Sequence, residues 1–290
     1  MWGGATERPT QDRIAAFTQR MGELGWRDSQ NVRFDVRWAD RNREKAVAQG
    51  RELVELRPDL IITGNTITTE VLRKETAVVP IIFGGASDPL ASGLVASLAH
   101  PGGNVTGFGN FEFSTGAKWL ELLKQVAPSV SRVLVMMQPH NDGNRGLLIA
   151  VEDAAHSVAV QVSTADEEDR SAVERIIPTF ASDPGGGLIV LPGRPAADVV
   201  ALGIRYKLPG VFFLREQVRA GGLLSYTIDF RELYRGVANY VDRILRGDNA
   251  GDLPVQEPTK FELAINLKTA KALGLTVPPS LLATADEVIE

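Results

Sequence analysis

The stretch over residues 79–89 constrains the fold more than any other part of the sequence. It begins as a short run, residues 80–83, that is apolar on both faces and is therefore typical of a buried strand in a parallel sheet. Gly84-Gly85 then releases the backbone, and Asp88-Pro89 predicts a turn. The polar break falls at the carboxyl end of the predicted strand, which is where open α/β sheets bind their ligands.

A second stretch, residues 59–69, repeats this design. An apolar run ends at Ile62 and is followed by Thr63, Gly64, Asn65 and Thr66, after which a helix is predicted. Two such strand ends side by side would form one wall of a ligand site. The alternative is that both are ordinary strand-to-helix turns, because Ser, Thr, Asn and Asp are the usual N-cap residues.

Helix and strand patterns alternate along the rest of the chain, which predicts parallel sheets with right-handed crossovers. The first series predicts a strand over residues 31–38, where apolar and polar residues alternate, and a helix over residues 90–98. A second series begins with a strand over residues 130–137. The tail is predicted to end in a helix over residues 281–289.

Two such series predict an α/β protein with two doubly wound, Rossmann-like lobes that are joined by a hinge. We expect lobe 1 to comprise residues 1–109 with 229–258, and lobe 2 to comprise residues 110–228 with 259–290. The length of 290 residues suits two lobes of ordinary size.

The composition excludes several classes of protein. The net charge of −5 and a pI near 5.4 argue against a nucleic-acid-binding surface, which is normally basic. No apolar stretch approaches the length that spans a bilayer. Cysteine is absent, and the three histidines are too far apart in sequence for metal-ligand spacing, so we expect neither a metal nor a cofactor.

Catalytic motifs are also missing from the sequence. There is no phosphate-binding loop of the Gly-x-x-x-x-Gly-Lys-Ser/Thr type, and the glycine clusters precede strands instead of following them. Ser87, Ser114 and Ser225 lack the context of a nucleophile elbow. A site with many hydrogen-bonding groups and no evident catalyst favours binding over turnover, so we expect that the protein is not an enzyme.

Twelve polar or aromatic residues lie at predicted strand ends or in connectors between the lobes. These candidate ligand-binding residues are Asn65, Thr66, Ser87, Asp88, Asn110, Phe111, Gln138, Asn141, Arg194, Phe213, Tyr226 and Asp229. Four of them have a plain structural alternative. Arg194 could be a solvated loop residue that pairs with no ligand, Phe213 and Tyr226 could be core aromatics, and Asp88 could cap the following helix.

Several segments resemble those of a known protein family. The segments are Leu98–Phe108 (LAHPGGNVTGF), Lys118–Leu123 (KWLELL), Gly187–Pro192 (GLIVLP) and the tail Leu253–Ser280. The chain is similar, from about residue 13 to its end, to bacterial ABC-transporter substrate-binding proteins of the tryptophan/tyrosine type, which have the type I periplasmic binding protein fold. The resemblance implies three connectors, the third near residues 260–267, and hinge closure around a ligand buried between the lobes. It also implies a permease and an ATPase as membrane partners, a monomeric state and a periplasmic or other extracytoplasmic location.

The sequence departs from this family at two places. Arg194 stands where we expect an acidic residue after Leu191-Pro192, which favours a more acidic or non-amino-acid ligand than the family label suggests. Met1-Trp2 is preceded by neither the export signal nor the first strand of the family. We therefore expect the first strand of lobe 1 to be truncated, and the chain to be less stable than a version extended upstream.

Two other functions fit the same scaffold. An enzyme with two lobes around a cleft would need a general base or a cofactor, and the sequence names neither. A ligand-sensing module of a receptor or regulator would need a DNA-binding or signalling segment, and the predicted lobes leave no length for one. Solute binding for an importer is the leading hypothesis.

Overall fold

The computed structural model describes residues 4, 7–193 and 197–290. The helices in this part of the chain are α1 (Arg8–Glu23), α2 (Arg43–Glu55), α3 (Thr66–Glu75), α4 (Thr115–Val126), α5 (Asp142–Ser157), α6 (Arg170–Ala181), α7 (Ala197–Arg205), α8 (Arg215–Arg219), α9 (Phe230–Leu245), α10 (Leu267–Ala272) and α11 (Pro279–Leu282). The strands are β1 (Ile61–Thr63), β2 (Ile81–Ala86), β3 (Val105–Gly109), β4 (Arg132–Met137), β5 (Gln161–Asp166), β6 (Gly186–Val190), β7 (Gly210–Phe212), β8 (Leu224–Ile228), β9 (Phe261–Asn266) and β10 (Glu287–Ile289).

The chain divides into two compact units. Unit 1 contains the described residues up to Phe111 together with Ile228–Lys260, and unit 2 contains Glu112–Thr227 together with Phe261–Glu290. The chain therefore passes between the units three times, at residues 111/112, 227/228 and 260/261. Each unit has its own sheet, because the strands form one group of three and one group of seven.

Unit 1 is built on the parallel sheet β1-β2-β3. All six residues of β2 are buried, as the uninterrupted run of apolar and small residues predicts. Helix α9 packs on β2 and β3, and α1 packs on α9. Gly84 allows this close packing, since a Cβ atom there would lie 3.2 Å from both Tyr234 Cζ and Val237 Cγ2.

The glycine pair in β2 lies within the strand and does not end it. The pairing of β2 with β3 shifts register between Gly84 and Ala86, which marks a β-bulge at Gly85. Gly85 has φ +117°, a conformation that side-chain-bearing residues rarely adopt. The bulge moves the polar break from residue 84 to Ser87, directly beyond the end of the strand.

Unit 2 is built on a sheet with the strand order β10-β9-β8-β7-β6-β4-β5. The pairs from β5 through β4, β6 and β7 to β8 are all parallel. One face of this sheet carries a buried core with Leu134, Met136, Leu188, Val190 and Phe212, against which α6 and α7 pack. These residues come from alternate positions of neighbouring strands, which is how a parallel sheet buries one face.

The predicted helix over residues 90–98 is wrong. The segment makes a single turn that ends at Gly93, where φ is +64°. Gly93 N donates to Leu90 O, and Leu94 N donates to Pro89 O, which together form a Schellman termination. The apolar spacing that suggested a helix instead places Leu94 and Val95 in the core of unit 1.

The predicted strand over residues 31–38 is also wrong. Its one ladder contact within the described chain is an isolated bridge between Val32 and Asp28. The alternating pattern does produce a partly buried residue, because Phe34 packs edge-on against Phe17 of α1, with ring centroids 5.7 Å apart. Val36, on the same side of the predicted strand, is 44% exposed. Alternation alone does not make a strand, because a strand also requires a neighbouring chain to pair with.

The tail differs from the predicted helix over residues 281–289. Helix α11 ends at Leu282, and β10 then pairs in parallel with β9, with Val288 opposite Ile265. Asp286 starts this pairing, since its N donates to Leu263 O and its carboxylate accepts from Leu263 N. The short helix α8 was not predicted.

Candidate functional site

Three loops of unit 1 lie at the same edge of its sheet. Because β1, β2 and β3 are parallel neighbours, their carboxyl ends lie side by side. Asn65 and Thr66 follow β1, Ser87 follows β2, and Asn110 follows β3. The structure therefore places the two predicted wall loops side by side and adds Asn110, which the sequence predicted in a connector, at the same edge.

Thr66 connects the first two of these loops. Its Oγ1 accepts a hydrogen bond from Ser87 N at 2.9 Å and donates to Ser87 O at 3.2 Å. Ser87 Oγ in turn lies 3.2 Å from Asn110 Nδ2 and 3.3 Å from Asn110 Oδ1. A Cβ atom at Gly85 would lie only 3.6 Å from Asn110 Cβ, so the bulge of β2 and the loop after β3 also pack closely.

Asn65 and Asp88 both cap turns. Asn65 Oδ1 accepts from Thr68 N at 3.0 Å, which is the N-cap bond of α3, and Asp88 Oδ1 accepts from Ala91 N at 2.9 Å. Asp88 has φ +40°, which Asp tolerates better than most residues. Asn65 therefore caps α3, whereas Asp88 caps a single turn because the helix predicted after it is absent. The Nδ2 of Asn65 and the second carboxylate oxygen of Asp88 are not used in these bonds, and a ligand role for either residue stays a prediction.

Unit 2 has a corresponding edge at the carboxyl ends of β4, β6 and β7. Gln138 follows β4, and Asn141 caps α5 by accepting from Gly143 N at 3.1 Å. The sequence analysis missed Asn144, which is fully buried. Its Oδ1 accepts from Gln138 N at 2.8 Å, and its Nδ2 donates to Pro192 O at 3.0 Å.

Glu167 is a second residue that the sequence analysis missed. Its side chain is fully buried at the end of β5, and a Cβ atom at Gly193 would overlap its carboxylate. Glu167 N donates to Met137 O, which places the residue beside the end of β4. No sequence pattern indicates that this carboxylate is buried. Arg194 lies outside the described residues.

The aromatic candidates of unit 2 pack into the interior. Phe213 is 7% exposed and meets Trp119 edge-on, with ring centroids 6.2 Å apart. Trp119 Nε1 donates to Tyr226 O at 2.7 Å, and the Tyr226 ring stacks on Phe261 at 5.2 Å. Burial raises the pKa of the Tyr226 hydroxyl. These contacts give each ring a structural role, and a ligand role for Phe213 or Tyr226 stays a prediction. Phe111, at the end of unit 1, is also buried.

Asp229 is occupied by structural contacts. Its Oδ1 accepts from Arg231 N and Glu232 N and so caps α9, while its Oδ2 accepts from Lys260 Nζ at 2.6 Å. Burial raises the pKa of its carboxyl, but the Lys260 ammonium and the capped N–H groups outweigh this and hold that pKa below its ordinary value. Both oxygens are thus in use, and a ligand role for Asp229 stays a prediction.

The residues that the structure describes contain no group of three or more His, Asp or Glu side chains that could hold a metal ion. Within that same part of the chain, no helix is both long and apolar enough to cross a membrane.

Comparison with known proteins gives the family. The sequence profile of the ABC transporter substrate binding proteins matches residues 7–289. The chain belongs to this family. The resemblance seen in the sequence is confirmed, and ligand capture by a substrate-binding protein of an ABC transporter is the function that this family supports.

Individual relatives agree with this assignment. The tyrosine-binding protein of Clostridioides difficile is 26% identical over 276 residues, which are 93% of this chain and 79% of that protein. A conserved domain protein from Vibrio cholerae has a similar structure, with a TM-score of 0.88 at 26% identity, over 97% of this chain and 96% of that one.

A further solved structure supports the fold alone. The ABC domain from Streptococcus pneumoniae, crystallised with L-Trp, matches with a TM-score of 0.89 at 24% identity, over 99% of this chain and 97% of that one. These structures confirm the predicted α/β class with the two-lobed type I periplasmic binding protein fold.

Proposed function

We propose that this substrate-binding protein captures an amino acid, with aromatic amino acids as the leading candidates, or a related carboxylate. Relatives support this ligand class, since one is a tyrosine-binding protein and another was crystallised with L-Trp. The protein delivers the ligand to the permease and ATPase subunits of an ABC importer, acts as a monomer outside the cytoplasmic membrane, binds no nucleic acid and does not transform its ligand.

The arrangement of polar groups in unit 1 supports the proposal most directly. Asn65, Ser87 and Asn110 come from three different loops and meet at one edge of a parallel sheet. Amides and a hydroxyl at fixed positions can hold the carboxylate and ammonium groups of an amino acid by hydrogen bonds. Such neutral groups bind and orient a ligand, but they are poor general acids or bases near neutral pH.

A second group of proposed ligand contacts lies in unit 2. Gln138 and Asn141 lie at the carboxyl edge of the larger sheet, close to Pro192 through the bonds of Asn144.

A thermal-shift screen tests the ligand class. The panel comprises L-tyrosine, L-tryptophan, L-phenylalanine, L-leucine, 3-(4-hydroxyphenyl)propionate, succinate and D-glucose. A ligand at one hundred times its Kd stabilises the folded protein by about 2.7 kcal/mol. We expect an aromatic amino acid or its carboxylate analogue to raise the Tm, while D-glucose does not. A response to D-glucose alone would contradict the proposal.

Variants locate the site. Asn65→Asp keeps the N-cap of α3, because Asp caps as well as Asn, and Asn110→Asp keeps an oxygen for Ser87. Each removes an amide donor and adds a negative charge, so each should weaken binding of a carboxylate ligand by roughly tenfold or more. Thr164→Ala, at an exposed position of β5, is the control and should bind as the wild type does. Unchanged binding in both Asp variants would place the site elsewhere.

A further inference from the structure

The hydroxyl of Thr66 is committed to the protein itself. Thr66 is the first residue of α3, and a threonine hydroxyl has one hydrogen to donate. It donates that hydrogen to Ser87 O at 3.2 Å and accepts from Ser87 N at 2.9 Å. Thr66 therefore cannot donate to a ligand while this pair of bonds is intact. Its position at the sheet edge needs another explanation.

The bonds of Thr66 begin where the strand pairing ends. The β1–β2 ladder closes with Thr63 opposite Phe83; β1 then ends in a loop, while β2 continues to Ala86 in its pairing with β3, which leaves a gap between the first two chains. Thr66 reaches across this gap to the backbone of Ser87, both as donor and as acceptor. One side chain thus supplies the two hydrogen bonds that another step of backbone pairing would have supplied.

Unit 2 also has a side chain that bonds to two loops beyond the end of a strand pair. The β4–β6 ladder ends with Met136 opposite Val190. Asn144, in the first turn of α5, bonds to Gln138 N on one side and to Pro192 O on the other. Because Asn144 is fully buried, its amide forms hydrogen bonds with the two loops and none with solvent. Each unit therefore has a polar residue in the first turn of a helix that ties two strand-end loops together.

We propose that Thr66 and Asn144 are positioning residues. Each fixes the spacing between two loops that carry ligand-binding groups of its own unit, and neither touches the ligand. The inference depends on the proposed function for what the loops bind, but the ordering of the loops themselves can be measured without a ligand.

Thr66→Val and Thr66→Ser test the first half. Valine matches threonine in shape and removes both bonds to Ser87, while serine restores the hydroxyl. In ligand-free protein, hydrogen exchange of the amides over residues 84–93 should accelerate in Thr66→Val and stay at the wild-type rate in Thr66→Ser. The Kd for L-tyrosine or L-tryptophan, whichever the wild type binds, should rise about tenfold in Thr66→Val and less than about threefold in Thr66→Ser.

Thr106→Val is the matched control in the same unit. Thr106 is fully buried on β3, and its Oγ1 donates to Leu253 O at 2.6 Å, so the same substitution removes a buried hydroxyl bond far along the strand from the loops. It should lower the Tm without changing the Kd or the exchange of residues 84–93. A Kd change as large as that of Thr66→Val would show that loss of stability alone weakens binding, and would overturn the inference.

Asn144→Asp tests the second half with little change in volume. The aspartate keeps an oxygen for Gln138 N but loses the donor to Pro192 O and turns a carboxylate toward that carbonyl. We expect faster exchange over residues 188–193 in ligand-free protein and a Kd raised about tenfold or more. If Asn144→Asp fails to fold, Asn144→Ser, which keeps a smaller polar side chain, is measured in the same way.

The results separate this inference from the proposed function. Weaker binding by Thr66→Val with hydrogen exchange at the wild-type rate would indicate that Thr66 contacts the ligand directly. An unchanged Kd with faster exchange would show that the loop spacing does not affect ligand binding. Either result overturns the inference. If the wild type binds neither amino acid, the proposed function fails. The exchange comparison would still decide whether Thr66 and Asn144 order the loops.

Discussion

Replacing Asp229 with alanine removes three hydrogen bonds at the point where the chain enters α9. Oδ1 accepts from Arg231 N and Glu232 N, and Oδ2 accepts from Lys260 Nζ at 2.6 Å. Loss of an N-cap costs about 1 kcal/mol. The ion pair contributes less, roughly 0.2–1 kcal/mol, because the Lys260 side chain is 59% exposed and solvent screens its charge.

The sum for Asp229→Ala is about 1–2 kcal/mol, which lowers the Tm by roughly 2–8 °C at ~2–4 °C per kcal/mol. Asp229→Asn keeps the cap, since Asn caps as well as Asp, and should lose only the ion-pair contribution. Lys260→Met should match Asp229→Asn. Differential scanning calorimetry at pH 7 compares the three variants with the wild type, and a loss of Tm in Asp229→Asn as large as in Asp229→Ala would refute the reasoning.

The same variants test the ligand role that the sequence predicts for Asp229. If its carboxylate acts only on α9 and Lys260, Asp229→Asn should bind the wild-type ligand with a Kd within about twofold of the wild-type value. A loss of tenfold or more at preserved Tm would show that the carboxylate contacts the ligand.

Two further predictions concern the scaffold. Gly107→Ala should prevent stable folding, because Gly107 has φ +152° and a Cβ atom would lie 2.6 Å from Phe83 N and nearer still to Phe83 O. Gly103→Ala, at φ +64° with open space around it, should lower the free energy of unfolding by only about 1–2 kcal/mol, as measured by urea denaturation. Equal stability of the two variants would contradict this prediction. The hydrogen bond from Arg235 lowers the pKa of Glu23 from 4.5 to about 2. Any stabilisation by this carboxylate is therefore complete above pH 4.5 and disappears as the pH falls towards 2. A carboxyl-carbon NMR titration with a midpoint near 4.5 would show that the contact is absent in solution.

Local patterns in the sequence predict elements that depend on local contacts. Helix α9 extends from Phe230 to Leu245 because an N-cap aspartate precedes a regular apolar spacing that buries one face. The segment over residues 90–98 has a similar apolar spacing, but a Schellman termination at Gly93 ends its only turn. Apolar spacing alone does not distinguish these two cases.

Pairing partners that are distant in sequence explain the other errors. The tail forms β10 because Asp286 bonds to Leu263 and so places Val288 beside β9, which no local pattern reveals. The segment over residues 31–38 has the alternation of a strand but makes only an isolated bridge in the described chain. Strand formation depends on a neighbour, and the sequence does not state where that neighbour lies.

The candidate site could likewise be predicted only in part from the sequence. The polar groups after β1, β2 and β3 could be predicted, because parallel strands end at a common edge. The roles of Thr66 and Asn144 could not, because they depend on bonds to Ser87, Gln138 and Pro192 across loops. Residue type indicates that a side chain can form hydrogen bonds, but the fold determines whether those bonds go to the protein or to a ligand.

Isothermal titration calorimetry of the full chain with L-tyrosine and L-tryptophan tests the central claim most directly. The account predicts saturable binding of one aromatic amino acid per chain, with the ligand recovered unchanged after prolonged incubation. Heat that continues after saturation, with loss of the amino acid, would show turnover and contradict the account. Absence of binding by both amino acids and by 3-(4-hydroxyphenyl)propionate would contradict the proposed ligand class.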